Sequence, residues 1–201
     1  MDIIGDVAQP PVGMTGGHVR AAVAEMVGVL GPYTGRDWTV PAGGLEWSCW
    51  TTAAHVAHDL AAYAGQVAAR PDGDYLPFDL RVRADAPPAR VLEVVTAAGG
   101  LLAAAVDAAP ADLRAWHWGP CDPGGFAAMG VAETLLHTHD ITRGLDLPWR
   151  PPADPCAGVL RRLFPDAPSG PPADVLLWLT GRVEWDGRSQ RSTWSWRAAL
   201  P

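Results

Sequence analysis

Lysine is absent from the 201 residues: all 15 basic side chains are arginine. With alanine, glycine and proline used heavily, this reads as the codon bias of a GC-rich genome rather than as chemistry. Cysteine is scarce. Cys49, Cys121 and Cys156 are scattered, odd in number and without CxxC spacing, which excludes a disulfide framework or a zinc–cysteine site and predicts a reducing compartment. The opening MDIIGDVAQPP has no basic n-region and no apolar run of signal-peptide length. No stretch reaches the roughly eighteen to twenty apolar residues of a membrane span. The expectation is a soluble, cytoplasmic protein with no membrane partner. The net charge of −7 comes without any acidic block and argues against binding nucleic acid through a general electrostatic footprint. There is no internal repeat. At 48% apolar and 18% charged, the composition is globular and large enough for one well-buried domain with a small addition.

Apolar periodicity predicts four long helices. Residues 1–14 read as an irregular lead-in. Val19, Val23, Met26, Val27 and Leu30 give the first helix, about Gly17 to Leu30, with His18 in its first turn as a solvated or capping residue. Residues 33–46 have a loop composition, anchored by Trp38. The second helix runs from about Ser48, placed to cap it, to Ala69 before Arg70-Pro71, and carries His55, His58 and Asp59. FDLRVRA, 78–84, reads as a short extended segment. The third helix opens at Pro87-Pro88 and ends at Ala109-Pro110, with Gly99-Gly100 placed to loosen or kink it. DLRAWHWGPCDP is a connection in which His117 is expected exposed between two packing tryptophans, Trp116 and Trp118. After the proline-rich LPWRPPADP, two short helices and a hairpin are expected, with Asp186-Gly187 as the turn and Trp194 and Trp196 on one face of its second strand. The architecture is mainly α: a four-helix bundle with a short C-terminal α+β extension.

The fourth helix, Gly124 to Gly144, is where the chemistry gathers. Glu133, His137 and Asp140 fall at i, i+4 and i+7, so a carboxylate, an imidazole and a second carboxylate share one stripe of an otherwise apolar helix. Buried charges need a partner, and a divalent metal is one. A facing helix would have to supply the remaining ligand. His139 points off this stripe and is expected to be hydrogen-bonded.

LEWSCWTTAAHVAHDLAAYAGQ, followed some seventy residues later by AAMGVAETLLHTHDITRGLDLPW, resembles the actinobacterial branch of the DinB-like, mycothiol-dependent maleylpyruvate isomerase family. ADLRAWHWG and LLWLTGR fit the same branch. The resemblance implies a DinB-like metal-binding four-helix bundle over 1–148, with 149–201 as a small extension packed on it. It also implies a divalent metal held by a second-helix histidine, eight residues after a tryptophan, and by the glutamate and histidine of E-x-x-x-H. The latter pair falls on Glu133 and His137. Trp47–His55 and Trp50–His58 both satisfy the tryptophan spacing. His55 is preferred, since Trp47-Ser48 matches the family opening and DLAAYA follows at the expected interval. Two imidazoles and a carboxylate are also the donors of a catalytic zinc that keeps an open position; nickel, cobalt, manganese or iron suit the same set.

By the same resemblance the cosubstrate is mycothiol, whose metal-bound thiolate is the nucleophile. The implied activity is a metal-dependent thiol S-transferase or isomerase acting on a small electrophile, in a monomer or homodimer. Asp140 or His58 would orient a ligand or shuttle a proton. Arg182, ahead of Arg143, would meet an anionic substrate or cofactor carboxylate, although structural ion pairing is the competing reading for both arginines. The C-terminal portion is much shorter than the isomerase's second domain, so maleylpyruvate is not assigned as substrate. Two other classes stay open: a non-catalytic metal-binding or sensor module, and a bundle with a buried polar network and no metal.

Overall fold

The computed structural model describes residues 13–200, so most of the expected lead-in lies outside the described residues. Four long helices, α1 (Gly16–Leu30), α2 (Cys49–Ala69), α3 (Pro88–Ala108) and α4 (Pro123–Gly144), pack in the ring order α1, α3, α2, α4. Two shorter helices follow: α5 (Ala153–Leu163) rests on α4, and α6 (Pro172–Leu179) rests on α5. The protein is a four-helix bundle with a short C-terminal extension.

Local chemistry explains where these helices begin. Ser48 caps α2 by accepting the Thr51 N–H, and His18 joins Thr15 in a capping box on α1. α4 starts earlier than its glycine pair suggests, because Asp122 accepts the Gly125 N–H and Pro123 occupies the first helical position. α4 is enclosed by α1, α2, α3 and α5, and nearly all of Gly125–Thr142 is buried. Gly130 makes that enclosure possible: a Cβ there would run into Leu102 and Leu60.

Some expectations need correction. Gly99-Gly100 do not interrupt α3; Gly99 instead lets Val23 of α1 come close. With a mean hydropathy of 1.7 over its most apolar 18 residues, α3 is long and apolar enough to cross a membrane, although Glu93 and Thr96 interrupt it as an apolar run; its buried side is a wall of this bundle. Residues 78–84 form no strand. The connector before α4 contains a two-residue ladder, β1 (Ala115–Trp116) with β2 (Pro120–Cys121). The expected hairpin reduces to one bridge, Trp185 with Arg188, around Asp186 and Gly187, which have φ of 51° and 70°. The turn chemistry is right, but the polar, arginine-rich flanks offer no apolar face on which strands could settle. The chain beyond 189 runs irregularly back over the bundle.

One loop fixes the site's entrance. Pro41 and Ser48 bridge, Trp38 is buried with its Nε1 donating to the Tyr33 carbonyl, and Gly43, at φ 56°, rests on Asp140 and Arg143. Gly144 is the contact that admits this loop, since a Cβ there would strike the Pro41 carbonyl and the Cys49 sulfur. Gly144→Ala is therefore expected to destabilise by about 1–3 kcal/mol, the usual cost of forcing volume into packed backbone. Gly28→Ala, on an exposed face of α1 with open space around it, should be neutral or stabilising by roughly 1 kcal/mol. Urea denaturation of both variants checks the contrast.

Candidate metal centre

α2 and α4 face each other, and the facing stripes are polar. His55 on α2 and Glu133 and His137 on α4 bring one donor atom each to within 4.8 Å of one another. His137 Nε2 lies 3.2 Å from Glu133 Oε2, and His55 Nε2 lies 4.0 Å from the same oxygen. Three donors bound to one ion at about 2.1 Å would stand roughly 3.4 Å apart, so this cluster has the scale of a metal site. The two histidine rings meet edge-on at 5.1 Å, with Trp47 against the outer side of His55 at 4.8 Å.

The electrostatics support the same fit. Burial, and then the neighbouring His137, hold His55 below its usual pKa, which leaves its imidazole neutral with a lone pair to give. Asp59, one turn on, places Oδ2 3.2 Å from His55 Nε2. Burial and the adjacent Glu133 push its carboxyl up, so two carboxylates here hold a proton where no cation separates them. Tyr63, a further turn along, is buried and aims its hydroxyl at Glu133 Oε1 over 3.5 Å. Burial alone would raise Glu133, but its bond to His137 and the nearby positive charge bring it below the ordinary carboxylate range.

Asp140 lies behind His137. Its Oδ2 is 2.9 Å from His137 Nδ1, and Arg182 donates to both its oxygens, from Nε at 2.9 Å and Nη2 at 2.7 Å. Asp140 thus accepts the Nδ1 proton and directs Nε2 toward Glu133. Arg182 is an ion-pair partner here, and its Nη1 donates to the Thr180 carbonyl as well. His58 is outside the three-residue cluster, in an adjoining groove whose wall it shares with Trp47 and His55. Arg143 makes no ion pair among the described residues. The expectation for His139 fails: it is buried, and Nδ1 has no hydrogen-bond partner.

His117 is a second correction. It is 7% exposed, whereas Trp118, expected to pack, is 79% exposed with φ 55°. The tight β1–β2 turn throws Trp118 outward and turns His117 inward, where Nδ1 meets the Tyr75 hydroxyl. Burial takes its pKa down to about 4. Asp59 and Tyr63 went unread as site residues, although His55, Asp59 and Tyr63 fall at i, i+4 and i+8 on α2, a spacing visible in the sequence.

The cluster opens into a cavity of about 730 Å³ walled by the 43–47 loop, α4 and the returning segment around residues 190–194. An interior two-histidine, one-glutamate cluster beside an open cavity is the donor arrangement with which helical bundles can hold a metal between facing helices. The family model for the mycothiol maleylpyruvate isomerase N-terminal domain matches residues 19–142, more than half of the chain. The chain belongs to that family. Neither the curated proteins nor the solved structures gave a match.

The protonation of His137 gives the site a pH dependence. Burial opposes its charge, but the hydrogen bonds to Asp140 and Glu133 outweigh burial and bring its pKa up to about 9. A metal must displace that proton, so affinity for zinc should rise with pH from 6 to about 9 and then level off, as read by competition with a chelator. The metal-free protein should show the opposite trend. A folded pKa above the unfolded value of about 6.5 contributes stability that is complete below pH 6.5 and lost as pH rises through about 9. Denaturation curves at pH 7.5 and 9, above the range in which the lowered His55, His117 and His139 change charge, check this.

Proposed function

We propose that the protein is a metal-dependent thiol S-transferase or isomerase of the mycothiol type, acting on a small electrophile. The carrying observation is the convergence of His55, Glu133 and His137 at the floor of a cavity large enough for a thiol and a second small molecule. These three residues would hold a divalent ion, with zinc first by the chemistry of the donor set. Such an ion, when bound, lowers the pKa of a thiol so that the nucleophilic thiolate forms near neutral pH.

The remaining roles belong to the chain. Asp140 is a positioning residue: it fixes the His137 tautomer and is itself held by Arg182. Tyr63 restrains the Glu133 oxygen nearest its hydroxyl. Asp59, rather than His58, stands beside His55 and is the carboxyl within reach of a proton released there. Trp47 and Trp194 wall the cavity and limit water around the thiol. The free cysteines are all buried, and burial pushes Cys49 up to about 11 and Cys121 and Cys156 up to about 12, so the nucleophilic sulfur comes from outside the chain.

The proximity of Asp59 favours a second reading. If Asp59 closed the coordination sphere with His55, Glu133 and His137, the protein would be a metal-binding or sensor module without turnover. Untagged protein should contain about one divalent metal per chain, and Glu133→Ala and His137→Ala should lose it while staying folded; unchanged metal content in both overturns the proposal. Cobalt-loaded protein should develop a sulfur-to-metal charge-transfer band on adding mycothiol and should consume the thiol when electrophiles are supplied. A cobalt spectrum indifferent to thiol selects the module.

A further inference from the structure

A second space also reaches the metal cluster. A trough of about 390 Å³ has Glu133 and His117 at its floor and Trp118, Trp194 and Trp196 on its walls. Glu133 and Trp194 line the larger cavity as well, so the two spaces meet at a residue of the cluster. Little free charge faces the trough: Arg197 is ion-paired with Asp166, and Glu133 is occupied by His137. Its walls are tied in place. The Leu200 N–H donates to the Pro120 carbonyl over 2.8 Å, and the Arg197 N–H donates to the Leu163 carbonyl over 2.9 Å, which fastens the end of the chain to the β1–β2 ladder and to α5.

Trp118 is the outlier here. Its φ of 55° lies in the left-handed region that bulky side chains rarely adopt, and yet it is 79% exposed. The residue gives up a relaxed backbone and the burial of its indole together, a combination that marks ligand clamps rather than packing. Trp116 backs the Trp118 ring at 5.1 Å, and Trp196 backs Trp194 at 5.6 Å. His117, next in the chain, faces the same trough. The Tyr75 hydroxyl takes up its Nδ1. Nε2 has no partner among the described residues, but it is not sealed off as His139 Nδ1 is, so it keeps area open to the trough. Burial holds the ring neutral; with Tyr75 donating to Nδ1, Nε2 carries the ring proton and offers it to an acceptor.

We propose that this trough is the subsite for an uncharged aromatic ring on the electrophile, clamped by Trp118 and Trp194, with a carbonyl oxygen beside the ring accepting from His117 Nε2. Tryptophan faces and edges take a planar ring in offset or edge-on contact, which adds to what burial of the same area provides. A mainly apolar pocket with one directed donor is the arrangement that holds a small aryl ketone. This deepens the proposed function and rests on it for the chemistry, but not for the binding. Its consequence is a division of the site: the thiol occupies the larger cavity, the ring of the electrophile occupies the trough, and the two meet at Glu133. Aryl carbonyl compounds are retained there, and small aliphatic ones are not.

The test uses the metal-loaded full chain, labelled with 15N, and three unreactive probes: acetophenone, butanone, which lacks the ring, and toluene, which lacks the acceptor. Indole and imidazole resonances locate the probe, and their titration gives the affinity. Acetophenone is expected to bind saturably and to move the signals of Trp118, Trp194 and His117. Butanone should bind about tenfold more weakly, having no ring to bury. Toluene should move the indoles and leave His117 unmoved. Because Trp118 is exposed, its variants should fold: Trp118→Ala should weaken acetophenone binding about fivefold, and Trp118→Phe should restore it to within about twofold. No saturable binding of acetophenone, equal affinity for butanone, or unchanged affinity in Trp118→Ala overturns the subsite. So does a dimer in sedimentation that Trp118→Ala abolishes and acetophenone leaves intact, which would assign the indole to a second copy of the chain. Metal content and the cobalt–thiol band, read on the same samples, report separately on the proposed function. Trp118-dependent ring binding in a protein that holds no metal would keep the subsite and remove that function alone.

Discussion

The burial of Asp140 is the constraint around which the site and the extension are arranged. An ionised carboxylate taken out of water costs several kcal/mol unless it is paired and hydrogen-bonded. Here His137 and Arg182 take up its oxygens, and the interaction is nearly dry: the side chains of Asp140 and Arg182 are 5% and 11% exposed. His137 comes from the same helix, but Arg182 follows α6, far along the chain. The extension must therefore fold back on the bundle before Asp140 can be satisfied. Arg162 of α5 makes the same kind of link to Asp122, the cap of α4, at 2.6 Å. Two ion pairs thus cross the proline-rich boundary near residue 148, and both reach α4. We propose that residues 149–201 are a folded part of the site's support rather than an appended unit.

Asp140 also determines what His137 can do. Because its Nδ1 proton is engaged by Asp140, the proton that leaves His137 is the one on Nε2, which faces Glu133, and the neutral ring that remains has the tautomer a metal requires. Across the cluster the balance differs. Asp59 and Glu133 are two carboxylates at close range with no arginine directly between them, and the proton that Asp59 retains is the cheapest substitute for a cation. A structural hydrogen-bond network would have little reason to place a second acid there. A divalent ion bound there would supply the charge that both acids lack and would lower the cost of ionising Asp59. The pairing of a saturated acid, Asp140, with an unsaturated one, Asp59, separates the group that holds the geometry from the group free to exchange a proton.

The metal stripe was legible in the sequence because helical periodicity is strong and Glu133, His137 and Asp140 interrupt a long apolar helix, so their spacing alone places them together. His55 is preferred to His58 only through the family resemblance, by the Trp47-Ser48 opening and the interval to DLAAYA, since an alanine-rich helix with two histidines does not say which one turns inward. Asp59 and Tyr63 share its stripe, but nothing in the order of residues says that Glu133 will lie opposite them. His117 and Trp118 were read the wrong way round: apolarity predicts that a tryptophan packs and a histidine faces water, whereas the turn's positive-φ residues decided the outcome. The tail was misread for a similar reason. Asp186-Gly187 do make a turn, but strand formation depends on a partner face that the local sequence cannot reveal.

α4 carries polar side chains on two of its faces. With about 100° of rotation per residue, positions 133, 137 and 140 fall within roughly 60° of one another, while 139 and 143 lie on a neighbouring face about 100° away. The face carrying 133, 137 and 140 is turned toward α2, and the neighbouring face carrying 139 and 143 lines both the larger cavity and a further one beside Trp149 and Trp185. Their separation is set by the backbone of a helix that is buried nearly all round, not by a loop. Neither set can shift relative to the other without unwinding the best-packed element of the protein. Rigidity of this kind brings reacting groups together without ordering them anew at each encounter.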